Sequence, residues 1–430
     1  MAAPVDVPVA LLGYGTVGAS VDRLLRDGAA DIERTTGHRL HIVRALVRDP
    51  ARERAYAPAD GVLTSDFADI AGDASIGLVA EVMGGLEPTG GYVLDLLRAG
   101  KSVVSANKQL IARRGAQLFA AASKGGVQLR FEASVCAAIP VVKVLREALV
   151  VTNVHRVLGI VNGTTNFVLT RMEQGAEYDE ALAEAQRLGY AEADPTEDVS
   201  GLDAAAKMAI LATVAFGGRV ALEDVIVEGI DGLRSEYVRA AAELGMVVRL
   251  VGAATLVDGR YDVRVQPAFV HRHHPLAAVE GAFNAVMLQG DAIREITLEG
   301  PGAGGIETAS AVVADLVSIV GTEGTGFLQD DPVRRTLVRL PPGEIRSEFY
   351  LHLEVEDRPG VLAHVAEQLA DAGVSIARLT QRQTEFGAAL DLVTHESAAG
   401  AIEGAVARLE GLGEVQGKPA VLRVISERGV

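Results

Sequence analysis

Short apolar runs alternate with helical periodicity over the first 150 residues. An apolar run at 7–12 ends in Gly13-Tyr14-Gly15-Thr16-Val17-Gly18, and a helix-like stretch follows at 17–26. Residues 41–47 alternate and are β-branched enough for a second strand, while 76–83, 101–105 and 127–131 read as further strands. Apolar helical spacing predicts helices at 92–98, 110–122 and 139–149. Strands alternating with helices make the class α/β, with a doubly wound parallel sheet of Rossmann type over 1–150, joined by 305–327. Residues 151–327 mix strands (154–161, 246–253, 263–270, 293–298) with helices (180–188, 202–216), which predicts a separate α+β unit. Asp331-Pro332 and Leu340-Pro341-Pro342-Gly343 mark 328–346 as a linker. Residues 347–430 then read strand, helix, strand, strand, helix, strand (βαββαβ). No internal repeat is visible.

Composition narrows the class of molecule. The chain has 430 residues, 49% hydrophobic and 23% charged, ample for two or three packed domains. Forty basic against 57 acidic side chains give a net charge of −17, which argues against nucleic acid or an anionic membrane surface as partner. No apolar run approaches the roughly 18–20 residues that span a bilayer; 208–218 is among the longest. The opening MAAPVDVPVA lacks the basic n-region of a signal peptide. Cys136 stands alone, so no internal disulfide forms and a reducing, cytoplasmic setting is expected. Only six of the 40 basic residues are lysine: Lys101, Lys108, Lys124, Lys143, Lys207 and Lys418. Arginine cannot exchange a proton near neutral pH and lysine can, so each lysine becomes a candidate.

Gly13, Gly15 and Gly18 fit G-x-G-x-x-G, after a strand and opening a helix. The first glycine permits a tight turn, the second lets backbone approach a pyrophosphate, and the third permits close helix–sheet packing. A purely structural glycine turn is the competing reading. The cofactor ribose is expected at the end of the second strand, where the chain reads Ala45-Leu46-Val47-Arg48-Asp49. Arg48 comes first and favours the 2′-phosphate of NADP, while Asp49 keeps NAD open.

Residues 188–207 are dense with acids and then turn abruptly apolar. Asp203 and Lys207 are four apart and share one helix face. A solvated surface pair is the bland alternative, but the helix that follows is apolar nearly all round and so is expected to be buried. A lysine at the start of a buried helix, with carboxylates converging on it, suits a cleft that binds a zwitterion.

Gly-Tyr-Ala-Glu-Ala-Asp-Pro-Thr-Glu-Asp-Val-Ser-Gly-Leu-Asp-Ala-Ala-Ala-Lys at 189–207 resembles the signature of homoserine dehydrogenases. Ser105-Ala106-Asn107-Lys108, Glu132 to Pro140, Gly159 to Asn166 and Gly300-Pro301-Gly302-Ala303-Gly304 agree in the same order, so the resemblance covers essentially the whole chain. With no aspartate kinase domain ahead of the fingerprint, it resembles the monofunctional form. The resemblance implies NAD(P)-linked oxidation of L-homoserine to L-aspartate 4-semialdehyde, or the reverse, in threonine, methionine and isoleucine biosynthesis. It implies catalytic Lys207 and Lys108 aided by Asp203, and substrate held by Glu192, Asp198, Asp203, Lys207 and Thr164. Gly13, Gly15, Thr16, Val17, Gly18, Arg48, Ser105, Lys108, Gly302 and Gly304 are implied for the cofactor. Glu132, Val135, Ala137 and Ile139 are implied as oxygen ligands, mostly backbone carbonyls, of a monovalent cation (Na⁺ or K⁺); Ala137 departs from the glycine common there. Residues 151–327 then become a substrate-binding and dimerisation domain of a homodimer or homotetramer.

Glu356-Asp357-Arg358-Pro359-Gly360-Val361-Leu362, followed by Ala372-Gly373-Val374-Ser375-Ile376, resembles an ACT domain, which implies threonine as an effector. A purely structural dimerisation module is the alternative. The cluster His271, His273, His274 lacks partners at metal-ligand spacing and reads as a loop. Cys136 in its apolar setting reads as a small buried hydrophobe rather than a nucleophile. A competing function class is a non-catalytic sensor of dinucleotide and amino acid, which would have no use for the lysines or the acidic signature. For the proton, Asp203 favours the ammonium form of Lys207, whereas Lys108 would sit beside the cationic nicotinamide. Lys108 is therefore the expected proton acceptor in oxidation, with Lys207 polarising the oxygen.

Overall fold

The structure is a computed structural model that describes residues 3–322, 331–384 and 387–426. It divides into two compact units, Met1–Val157 with Ala205–Asp224 and Asn284–Leu337, and Leu158–Ala204 with Val225–Phe283 and Val338–Val430. The sequence leads one to expect 1–150 rejoined by 305–327, then 151–327, a linker and 347–430; the first compact unit also returns late in the chain, at Asn284–Leu337, and takes in Ala205–Asp224 besides. Three of its boundaries fall inside elements, the strands Val154–Ile160 and Phe283–Gly290 and the helix Leu202–Phe216, and no change in composition marks such a place.

In the first unit, β1 (Val5–Leu12), β2 (His38–Leu46), β3 (Leu63–Thr64), β4 (Leu78–Glu81), β5 (Ser102–Ser105) and β6 (Leu129–Arg130) form a six-stranded sheet in the order β3-β2-β1-β4-β5-β6. Every pairing in it is parallel. The order reverses between β1 and β4, and ligands of such sheets bind outside the carboxyl ends of the strands at that switch. Val9, Ala10, Leu11 and Leu12 have no exposed surface, as a central strand covered on both faces requires. The helices include α1 (Thr16–Asp27), α2 (Ala29–Thr36), α3 (Ala68–Ala71), α4 (Thr89–Arg98) and α5 (Lys108–Gly125). Val21 and Leu25 of α1 share one core with β1 and with Ala309, Val312 and Leu316 of the helix Gly305–Gly321. Of the stretch 305–327 expected to join this sheet, 323–327 lie outside the described residues. The helix expected at 139–149 is one α turn, Val141–Lys143, continued by a π turn, Val144–Ala148.

In the second unit, Met246–Val257 and Arg260–His271 form a long antiparallel hairpin. Its turn is Asp258-Gly259, both with positive φ (51° and 74°), as a tight two-residue turn demands. Residues 346–425 build the C-terminal module, with sheet order Val415–Ile425, Arg346–Val355, Gly387–Thr394, Ile376–Thr384. The helices Val361–Asp371 and Ala399–Glu410 close a core of its own, including Leu351, Val365, Leu390 and Ile402. The last strand also pairs in parallel with Arg260–His271, Phe269 opposite Val424.

Residues 328–330 of the expected linker lie outside the described residues, and the rest is bonded chain. The amides of Arg334 and Arg335 donate to the Gly217 carbonyl, and Val338–Arg339 pairs with Arg260–His271. Among the described residues, no helix is long and apolar enough to cross a membrane.

Candidate active site

The fingerprint glycines occupy three different environments. Gly13 has φ +104°, and a Cβ there would come within 3.0 Å of the Met83 backbone. A Cβ on Gly18 would stand 2.4 Å from the Gly13 carbonyl oxygen, so this glycine lets α1 lie against the turn. Gly15 is the N-cap of α1, and a Cβ on it would meet only open space. That space belongs to a cleft of about 1040 Å³ lined by Gly13, Gly15, Thr16, Arg48, Val82 and Met83, among others. Backbone amides at a helix start, bare of side chain, suit a pyrophosphate. Val17 is half-buried against the core rather than in this lining.

Arg48 is exposed in the same cleft, with Arg23, Arg52 and Arg54, which the motif did not reveal. Arg54 is committed to the carbonyls of Asp49, Pro50 and Arg52, and Asp49 caps the turn by accepting from the Ala51 amide. The end of β2 thus presents positive charge outward while Asp49 faces its own loop.

Beneath the carboxyl ends of β4 and β5 lies a buried network. Glu81, with no exposed surface, accepts from the amides of Met83 and Gly84 and from the Ser105 hydroxyl at 2.6 Å. Burial pushes the Glu81 carboxyl above its ordinary range, against the hydrogen bonds it accepts. Ser105 is fully buried and its hydroxyl also accepts from the Asn107 amide, so its side chain supports the site from below. Asn107 caps α5 by accepting from the Leu110 amide, which places Lys108 as the first residue of that helix. Lys101 and Lys143 are accounted for structurally: Lys101 donates to the carbonyls of Asp73 and Ile76, and Lys143 to Ala314 and Ser318.

Gly302 and Gly304 lie on the loop before the helix Gly305–Gly321. A Cβ on Gly302 would overlap the Asn284 amide group, itself fully buried with neither polar atom hydrogen-bonded to a described residue. Gly304 has φ +142°, and a Cβ on Gly305 would stand 2.6 Å from Thr16 Cγ2, so this loop closes on the start of α1.

Glu132 is buried, and its two carboxylate oxygens accept from the amides of Val142 and Lys143. Its own amide donates to Asp315, and burial together with Asp315 pushes the Glu132 carboxyl up to about 7. Val135, Ala137 and Ile139 are buried beside it in sequence, and Cys136 and Ala137 have φ of +54° and +39°. The glycine common at position 137 is therefore explained: the backbone there is left-handed, which costs an L-residue about 1 kcal/mol. Lys143 Nζ lies 3.5 Å from Asp315 and offsets its charge, while amides occupy both Glu132 oxygens, so a hard monovalent cation here would rest chiefly on backbone carbonyl oxygens of the left-handed turn. Cys136 is buried, as its apolar setting implied.

In the second unit the acidic stretch converges on one amide. Asn162 caps the helix Gly163–Glu173 by accepting from the Thr165 amide, and its Nδ2 donates to Asp198 Oδ1 (2.7 Å) and Asp203 Oδ2 (2.9 Å). Thr164 donates to the other Asp198 oxygen at 3.1 Å and to the Tyr190 carbonyl. Asp203 is 5% exposed, and Lys207 follows one turn later on the helix Leu202–Phe216. Glu192 is exposed, its carbonyl accepting from Gln186, apart from the Asn162 cluster. Asn162 was visible only as part of a motif; nothing in spacing marks it as the residue that holds two aspartates. The His271 cluster ends a strand and opens a short 3₁₀ turn, Pro275–Ala278, in which the Leu276 amide donates to His274 Nδ1.

Comparison with known proteins agrees with this geometry. The profile "Homoserine dehydrogenase, NAD binding domain" matches residues 13–132, "Homoserine dehydrogenase" matches 140–317, and "ACT domain" matches 350–414. The homoserine dehydrogenase of Bacillus subtilis is 38% identical over 427 residues, 97% of this chain and 98% of its own. That of Mycobacterium tuberculosis is 41% identical over 435 residues, 97% of each chain. The crystal structure of the enzyme from Thiobacillus denitrificans superposes with a TM-score of 0.93 at 40% identity, covering 98% of this chain and 99% of that one. A hyperthermophilic archaeal homoserine dehydrogenase mutant, solved in complex with NADPH, covers 73% of this chain and 98% of its own, at 28% identity and a TM-score of 0.63. A nucleotide-type cleft, a lysine one turn beyond clustered carboxylates and matches along nearly the full length lead to one conclusion: the chain belongs to the homoserine dehydrogenase family of oxidoreductases.

Proposed function

We propose that the chain oxidises L-homoserine to L-aspartate 4-semialdehyde and catalyses the reverse, with NADP preferred over NAD. The observation that carries this reading is the cluster of Asn162, Asp198, Asp203 and Thr164, one helical turn before Lys207. Such a cluster suits an ammonium group, which needs carboxylate oxygens fixed in place. Glu192, exposed and apart from this cluster, is the further carboxylate assigned to the substrate. When bound, the nicotinamide takes the hydride from the alcohol carbon. Lys108 accepts the hydroxyl proton as that hydride leaves, and the carbon–oxygen bond becomes a carbonyl. Lys207 holds and polarises the oxygen, and Asp203 keeps Lys207 in its ammonium form. The NADP preference rests on Arg48 and Arg52, exposed where the ribose phosphate would lie. The NADPH-bound archaeal relative supports the same choice.

Three further parts belong to the proposal. A monovalent cation binds beside Glu132 through the carbonyls of Val135, Ala137 and Ile139. Threonine acts as effector through the ACT domain, in a cytoplasmic homodimer or homotetramer serving threonine, methionine and isoleucine synthesis. The domain bounds follow the fingerprint and ACT signatures, with the Rossmann part over 1–150 and the regulatory part from 347.

The division of labour between the lysines is tested by the pH profile of kcat for homoserine oxidation. Lys108→Ala is expected to abolish the basic limb or nearly all turnover, with homoserine still binding. A wild-type profile in Lys108→Ala, with the limb lost in Lys207→Ala, reverses the roles.

A further inference from the structure

We propose that His352, Glu236 and Glu354 form a binding site for a transition-metal dication of the zinc class, joining the C-terminal module to the helix Ser235–Glu243. His352 and Glu354 are two residues apart on the strand Arg346–Val355 and so point to one face, and Glu236 opens the facing helix. The ligand atoms of the three side chains all lie within 4.8 Å of one another. No other trio of His, Cys, Asp or Glu among the described residues comes so close.

The histidine decides the argument. His352 is 5% exposed, and its Nδ1 faces Asp391 Oδ1 at 2.8 Å. Asp391 is a fixed carboxylate, also accepting from the Tyr350 hydroxyl and from both Nε and Nη2 of Arg382. An acceptor so placed draws the imidazole proton to Nδ1 and leaves the lone pair on Nε2. Nε2 is buried, has no hydrogen-bond partner among the described residues, and points toward Glu236 Oε1 at 4.0 Å. A lone pair facing a carboxylate in a buried setting is unfavourable unless a cation lies between them.

Arg234 is the cation nearest to hand. It contacts Glu236 Oε1, lies 3.6 Å from Glu354 Oε1 and rests over the Tyr237 ring. It serves the carboxylates but leaves Nε2 unserved, and its side chain is 56% exposed and able to swing away. Two carboxylates and a neutral imidazole carry a charge of −2, which a dication neutralises. Imidazole nitrogen with carboxylate oxygens suits zinc-class ions, at about 2.0–2.2 Å. Reaching that geometry needs an inward shift of about an ångström, which the half-exposed glutamates can make against a fixed histidine. Asp391 then acts as the outer carboxylate that orients the ligating histidine.

The test is calorimetric titration of the chelator-stripped full-length protein with ZnCl₂, in a His273→Asn background that weakens the exposed histidine cluster. One Zn²⁺ per chain is expected, with a higher Tm in its presence. Glu354→Gln and Glu236→Gln should each weaken binding about tenfold or more, while Arg234→Ala should tighten it. Both glutamates are partly exposed, so these variants keep the fold even where His352→Gln does not. Absence of stoichiometric binding, or affinity unchanged in both glutamate variants, overturns the assignment.

Discussion

Single residues in each compact unit do work that their position in the sequence does not announce. Arg48 was legible because the end of the second strand in this fold is where a ribose lies; Arg52 was not, because it reaches the cleft only through the fold of the 47–56 loop. Arg48→Ala is expected to raise the KM for NADPH several-fold to about tenfold, as loss of one exposed charge-assisted contact does, and to leave NADH nearly unchanged. An equal rise for both cofactors in steady-state kinetics would remove the phosphate role. Glu81 was invisible, since one acid at the end of a four-residue strand has no pattern. Burial raises its pKa above the ordinary 4.5, so between the unfolded and the native value the native state binds more proton than the unfolded chain. Its contribution to stability is therefore complete below about pH 4.5 and is lost as pH rises through the raised value. Glu81→Gln should flatten the fall of Tm with rising pH above 4.5; an unchanged pH dependence in thermal melts would contradict this.

Among the elements, α1, β1 and the C-terminal βαββαβ succession were readable because each has a clean period and glycine punctuation. The helix Gly163–Glu173 was missed: it is buried from Thr164 to Thr170, so no polar face betrays the 3.6 period. Its N-cap is Asn162, which ties the helix start and the Asp198–Asp203 carboxylate cluster to one side chain. Asn162→Ala should cost about 1 kcal/mol from the lost cap, read as a lower Tm. It should also raise the homoserine KM, since Asp198 and Asp203 lose the amide that holds them. The Kd for NADP⁺ should not move. A change in Tm alone would reduce Asn162 to a capping residue. On the left-handed turn at Cys136-Ala137, Ala137→Gly should add a few tenths to about 1 kcal/mol, read as a higher Tm, by relieving a left-handed alanine, offset in part by backbone entropy.

For the molecule as a whole, the family and the succession of fold types were legible and a late return to the first unit was expected, but the membership of 205–224 and 284–304 in that unit was not, because the chain changes unit within two strands and a helix. The seam of the C-terminal module is likewise a finding of structure. Its last strand bonds to Arg260–His271 at Ala268, Phe269 and Val270, so removing the module bares that apolar three-residue edge. A chain ending at Glu344 is expected to self-associate in size-exclusion chromatography; a monodisperse, unaltered species would show the seam to be dispensable. Threonine sensitivity is accordingly better probed with the full chain. The central claim is hydride transfer from homoserine, and absorbance at 340 nm tests it most directly. Wild-type protein with L-homoserine and NADP⁺ at alkaline pH should give a homoserine-dependent rise, lost in both Lys108→Ala and Lys207→Ala while each remains folded by circular dichroism. No rise from folded wild-type protein, or an undiminished rise in both variants, would contradict the account.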